Sequence, residues 1–181
     1  DIGITAGAGD FASGSVRFPF LLIANNAKPV ERPAADVWVA TSQNGKPFQH
    51  VRAKLEPIGV PGRSPAAFGG VRRIYVAHLR IPRPGRYWLV AEPQRAKLQA
   101  LGAIDVRAGS LSVALGARAP RSDTPTLATA PAAKITTSSP PDVSLLRYSV
   151  APSLAAHVPF VVTFATPKFC TSRTCGPVVD V

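Results

Sequence analysis

Methionine is absent from all 181 residues, and the chain opens Asp-Ile-Gly-Ile. A primary translation product begins with Met, so the expectation is a processed or excised piece, with a removed signal peptide as one natural reason. No apolar run reaches the roughly 18 residues a membrane helix needs, so no transmembrane segment is expected. The longest apolar runs, 18–24 and 159–165, have strand length. There is no G-x-S-x-G, no H-E-x-x-H and no paired acidic constellation. The glycine-rich stretch 3–9 has no strand before it, which argues against a phosphate cradle. Acidic residues are also few, 10 against 21 Lys and Arg, giving a net charge of +11.

That excess is scattered. No run of five or six basic residues exists, and the tightest group is Arg80, Arg83 and Arg86 around an expected turn. The distribution reads as a solvated basic surface, with no nucleic-acid partner expected. Weak attraction to an anionic envelope surface, lipid headgroups or cell-wall polymers, stays open.

Apolar residues make up 46% of the chain, enough to bury a core. The 19 prolines and 14 glycines require frequent turns and few long helices. Strands are expected at 16–24, 35–41, 48–55, 73–81, 86–91, 103–107 and 111–115, with a short helix or loop at 94–101. Pro19 suggests an edge strand or bulge. Asn44-Gly45 suggests a tight hairpin, and 57–70 is a loop. Seven or so short strands at this spacing suggest an antiparallel Ig-like β-sandwich over residues 1–116, with Trp38, Tyr75 and Trp88 in its core or in cross-strand packing.

From 117 to 142 Pro, Ser, Thr and Ala dominate and apolar periodicity is lost, as in a linker. Order is expected to return over 143–181. Ser149 is placed to cap a short helix reaching 157, with Pro152 in its first turn. Residues 159–165 read as a strand buried on both faces, as in an α/β sheet. A loop follows, then a helix start at Cys175-Gly176-Pro177, where Pro fits the first turn.

The chemistry-bearing residues are Cys170 and Cys175, with Arg173, Gly176 and Pro177 in support. A thiol at a helix N-terminus sees the positive end of the dipole and free N–H groups, which favour the thiolate. Cys175 holds that place, Arg173 adds a cation, and Cys170 lies within loop reach for a disulfide. On the residues alone a redox-active pair and a structural staple both stand. Two thiols do not complete a zinc site. His50, His78 and His157 are isolated, so no metal or other cofactor is expected.

The stretch Phe160-Val161-Val162-Thr163-Phe164-Ala165-Thr166-Pro167, followed by Cys170 through Cys175-Gly176-Pro177, resembles the strand, loop and Cys-Gly-Pro helix start of the thioredoxin-like superfamily. Thioredoxins carry C-x-x-C, whereas here Val178 takes the place of the second Cys and the pair is C-x4-C. The whole looks like bacterial exported proteins in which a β-sandwich precedes a thioredoxin-like domain, of which only the first part is present. The resemblance implies an extracytoplasmic thiol–disulfide oxidoreductase acting on a protein thiol or disulfide partner. The rival expectation is a non-enzymatic envelope module whose disulfide staples a loop.

Overall fold

A computed structural model describes residues 2–58, 71–114 and 116–164. They form two compact units, one of residues 2–58 with 71–114, the other from 116 onward. The first unit is all strand: β1 (Ile2–Ala6), β2 (Phe11–Ala12), β3 (Gly14–Ala24), β4 (Ala34–Ala40), β5 (Gln49–Pro57), β6 (Arg73–Ile81), β7 (Gly85–Pro93) and β8 (Ala100–Arg107). The protein is mainly β.

The sheet order is β1-β3-β6-β5-β4-β7-β8-β2, and β1 also pairs with β8. That last ladder closes seven strands into a ring. β1 and β2 both lie parallel to β8, at Ile2↔Ala100 and Phe11↔Val106, while the other neighbours are antiparallel. Two separate sheets were expected from the strand spacing; instead one hydrogen-bonded ladder runs around the unit. The join opposite β1 is made by β5, whose residues 49–54 pair with β4 and 54–57 with β6.

Alternation explains which side chains fill the ring. Val16, Phe18, Phe20 and Leu22 of β3 point inward, as do Tyr75, Ala77, Leu79 and Ile81 of β6 and Tyr87, Leu89 and Ala91 of β7, all buried. An aromatic column runs through this core. Tyr75 stacks on Phe20 at 5.3 Å, Phe20 on Phe18 at 5.0 Å, and Phe11 meets Phe18 edge-on at 5.7 Å. Tyr75 is 1% exposed, yet its hydroxyl is satisfied: it donates to Val30 O (3.1 Å) and accepts from Arg32 N–H (2.7 Å). The column is thereby tied to the β3–β4 connection.

Several expectations are corrected. Pro19 is not on an edge, since β3 lies between β1 and β6. Its carbonyl accepts from Gly7 N–H (2.8 Å), on the side where β1 has ended. In an antiparallel ladder a residue's N–H and C=O face the same neighbour, so the missing proline N–H leaves no bond to β6 unmade. Trp38 and Trp88 are half-buried on the outer face. They alternate with the inward Val37, Val39, Tyr87 and Leu89, so the pleat turns them out. Asn44-Gly45 does not form a two-residue hairpin loop; eight residues separate β4 from β5, and Gly45 N–H closes a turn on Ser42 O at 3.1 Å. Residues 111–114 form no strand, and Leu111 is 74% exposed. Leu111 and Ser112, which follow β8, give their backbone N–H groups to the Asp10 carboxylate instead of to a ladder.

In the second unit, α1 (Ala132–Ile135), a 3₁₀ turn (Val143–Leu146) and α2 (Val150–Ala155) are the regular elements. The Pro/Ser/Thr-rich stretch is otherwise irregular but not unattached. Ser149 stands at the N-cap of α2 without capping it through its own side chain. The free N–H groups there are met from outside the helix: Val150 N–H donates to Thr124 Oγ1 (3.2 Å) and Ala151 N–H to Ser122 O (3.0 Å). Leu127 N–H likewise donates to Leu146 O (3.0 Å). No helix among the described residues is long and apolar enough to cross a membrane.

Closure has a local requirement. A Cβ at Gly102 would lie 2.8 Å from Ile4 Cβ, so only glycine lets β1 settle beside β8. We predict that Gly102→Ala costs about 1–3 kcal/mol, the range for overpacking a filled core, and that Ile4→Ala in the same chain recovers part of the loss. Urea unfolding of the three variants checks this; a Gly102→Ala chain as stable as the parent refutes the closure argument. Burial raises the Tyr75 pKa, with the Arg32 hydrogen bond opposing. A folded-state pKa above the unfolded value of about 10 leaves its stability intact below that value and removes it as pH rises through the folded one. Alkaline unfolding above about pH 10 should therefore be weaker in Tyr75→Phe, a variant that starts about 1–3 kcal/mol less stable at neutral pH through its two lost bonds. Chemical denaturation across the alkaline range measures both effects.

Candidate functional site

Cys170, Cys175, Arg173, Gly176 and Pro177 lie outside the described residues, as do residues 165–169 ahead of them. The structure describes their approach as far as residue 164. The helix expected before the strand is present as α2, two residues shorter than read at its far end, with Pro152 in its first turn. The buried strand is not. Residues 159–164 have no regular structure, and Phe160, Val161, Val162 and Phe164 are 40%, 92%, 46% and 95% exposed. A strand apolar on both faces needs a ladder partner and cover on each side. Among the described residues every strand already pairs within the closed sheet, and none pairs with 159–164.

His50 and His78 belong to the first unit and His157 to the second. His50 on β5 stacks on Trp38 of β4, ring centroids 4.8 Å apart, and its Nε2 is 3.1 Å from Asp36 Oδ1. This is the cross-strand packing expected of Trp38. His78 is exposed on β6, and His157 follows α2 with a positive φ of 54°. Among the described residues no three His, Cys, Asp or Glu side chains are grouped to hold a metal ion.

One end of the ring gathers features that sequence reading left dispersed. The β4–β5 connection brings Lys46 and Phe48, the β6–β7 turn brings Arg80, Pro82 and Arg83, and the start of β3 brings Gly14 and Ser15. They meet because β3 and β5 begin where β6 ends. An open recess of about 470 Å³ lies there, lined by Gly14, Ser15, Phe48, Gln49, Arg80, Ile81 and Pro82. Gln49 Oε1 accepts from Arg80 N–H (3.2 Å), joining β5 to β6 at the rim. Phe48 is 46% exposed and leans edge-on against Tyr87 at 5.8 Å.

Two acids toward this end, Asp105 and Asp10, each accept more than one hydrogen bond. Asp105 takes a two-pronged bond from Arg86 (2.8 and 2.9 Å), which holds its carboxyl below the usual range and raises the Arg86 pKa. Asp10 accepts from Ser110 Oγ (2.5 Å), Leu111 N–H (3.2 Å), Ser112 N–H (3.0 Å) and Ser112 Oγ (3.0 Å). Led by the Ser110 hydroxyl, these bonds bring its pKa down to about 2. Arg80, Arg83 and Lys46 keep exposed charges with no ion pair among the described residues. The sequence signalled only the Arg80–Arg86 turn. Phe48, Lys46 and Asp10 gave no local signal, because their roles depend on strand pairing and on a contact spanning a hundred residues.

The chain matches no family model, no curated protein and no solved structure.

Asp10 pins the segment after β8 to the segment before β2. Its folded-state pKa is depressed, so the stability it contributes is present above the unfolded value of about 4 and is lost as pH falls through about 2. In Asp10→Asn the drop in urea midpoint between pH 4 and pH 2 should shrink relative to the parent. An identical acid profile in the two chains would remove Asp10 from the account.

Proposed function

We propose that this chain is an extracytoplasmic thiol–disulfide redox protein whose reacting groups are Cys170 and Cys175. What carries the reading is the run from Phe160 to Pro177, which joins an apolar strand-like segment, a loop and a Cys-Gly-Pro helix start. The apolar composition of Phe160, Val161, Val162 and Phe164 supports it: such a run suits a central strand of a thioredoxin-like sheet. α2 ahead of it suits the first helix of that fold.

For the first unit we propose an Ig-like sandwich with its edges joined. β1, β3, β6 and the end of β5 correspond to one sheet, and β4, β7, β8 with the start of β5 to the other. The support is the strand order, with the first strand divided between β3 and β8. In this reading the sandwich positions the redox segment or holds its protein partner.

The chemistry follows from the two sulfurs. The Cys175 thiolate attacks one sulfur of a partner disulfide, forming a mixed disulfide and releasing a partner thiolate, which takes up a proton. The Cys170 thiolate then attacks Cys175 Sγ, closing the Cys170–Cys175 disulfide and releasing the second partner thiolate. Two electrons pass from the pair to the partner; run backwards, the sequence oxidises a partner dithiol. Arg173 and the helix N-terminus favour the Cys175 thiolate, and Gly176 and Pro177 shape the turn that places it there.

Two measurements test the proposal. The reduction potential of the pair should lie well above about −300 mV; a value below that marks a structural staple and ends the redox reading. In the Cys170→Ser variant, alkylation of Cys175 by iodoacetamide should show a midpoint clearly below about 8.5. If Cys175 titrates at or above that value, or if Cys170 in the Cys175→Ser variant is the more acidic thiol, the helix-terminus mechanism is wrong.

A further inference from the structure

We propose that the end of the ring formed by the β4–β5 connection and the β6–β7 turn docks on an anionic lipid surface, with a headgroup phosphate beside Arg80 and the Phe48 ring in the interfacial layer. This inference does not use the cysteines.

Charge is the first argument. Lys46 and Arg83 come from two connections and Arg80 from the end of β6, all exposed at one end, and none forms an ion pair among the described residues. Of two acids toward this end, Asp105 is paired with Arg86, while Asp10 is bonded only to neutral donors and stays ionised, so the three unpaired cations outnumber it. An anionic surface within a Debye length would therefore meet free cations here.

Shape and polarity decide between a lipid surface and a soluble polyanion. The recess beside Arg80 is open, about 470 Å³, and part of its lining is apolar: Phe48, Ile81 and Pro82. Phe48, directly before β5 and two residues after Lys46, is 46% exposed. A soluble phosphate polymer has nothing to offer an exposed phenyl ring, whereas the headgroup boundary accepts an aromatic ring and a phosphate at the same depth. Ser15 adds a hydroxyl to the lining, a donor suited to a phosphate oxygen. Arg80 also has its backbone fixed by Gln49, so the cation is presented from a strand end and not from a free loop.

The test is co-sedimentation of the whole chain with phosphatidylcholine vesicles, with and without phosphatidylglycerol, at low ionic strength. Binding is expected only with phosphatidylglycerol. Arg80→Ala with Arg83→Ala should weaken it on the order of tenfold, and Phe48→Ser should weaken it separately. A charge-matched control, Arg52→Ala with Arg95→Ala, should weaken it far less. Arg80 and Arg83 expose guanidinium groups that bond to no described side chain, so that pair carries the test if Phe48→Ser lowers the melting temperature. The proposal is overturned by binding indifferent to phosphatidylglycerol, by equal losses in the control and the Arg80/Arg83 pair, or by full retention in a folded Phe48→Ser chain. Soluble polyphosphate bound as tightly as the vesicles would overturn it too, and would mark the end as a general polyanion site.

Discussion

Closure of the sheet between β1 and β8 is the constraint on which the first unit depends. Without it the eight strands would leave exposed edges, the usual route to unwanted pairing with other chains. It is made by few residues: Ile2 and Gly3 beside Ala100 and Leu101, with Ile4 occupying the space that Gly102 leaves empty. The aromatic column then has a wall on every side. Phe11, in the short strand that continues beside β8, closes the column at the end opposite Tyr75. Core and closure support each other: the column keeps the ring from collapsing, and the ring keeps the aromatic rings dry.

Much of this was legible from the residues and some was not, for identifiable reasons. β6 was read from alternation, because its outward positions include His78 and Arg80. In β4 both phases are apolar around Trp38, so the pattern could not say which side faces in, and core and cross-strand packing both stood for the tryptophan. β1 was hidden by Gly3 and the glycines that follow it, and the partner that closes the ring, β8, lies about a hundred residues away, where no local pattern reaches. Pro19 was read by a rule for sheet edges that holds only when the proline N–H would have faced a strand. The apolar segment 159–164 had the composition of a buried strand, but composition cannot supply neighbours. The cysteine pair, read from its spacing and from the Gly-Pro that follows, lies outside the described residues, while the basic end was legible only as a charged turn.

The redox proposal and the lipid-docking proposal draw on separate parts of the chain. One rests on sulfur chemistry in the second unit, the other on free cations and a phenyl ring in the first. An envelope protein that acts on other proteins gains from being held near a surface, since confinement raises the encounter rate with partners held there. The two properties are therefore compatible, and neither needs the other.

The stretch rich in proline, serine and threonine was read as a spacer, and a spacer can be exchanged for any chain of similar reach. The bonds from Ser122 and Thr124 to the first turn of α2 remove that freedom. A replacement with glycine at 124 would preserve the span and the carbonyl at 122 but lose the Thr124 hydroxyl, leaving the Val150 N–H to water. Transplanting the C-terminal unit onto another carrier therefore requires a cut before residue 122, since the segment that looks like packaging is part of the cargo.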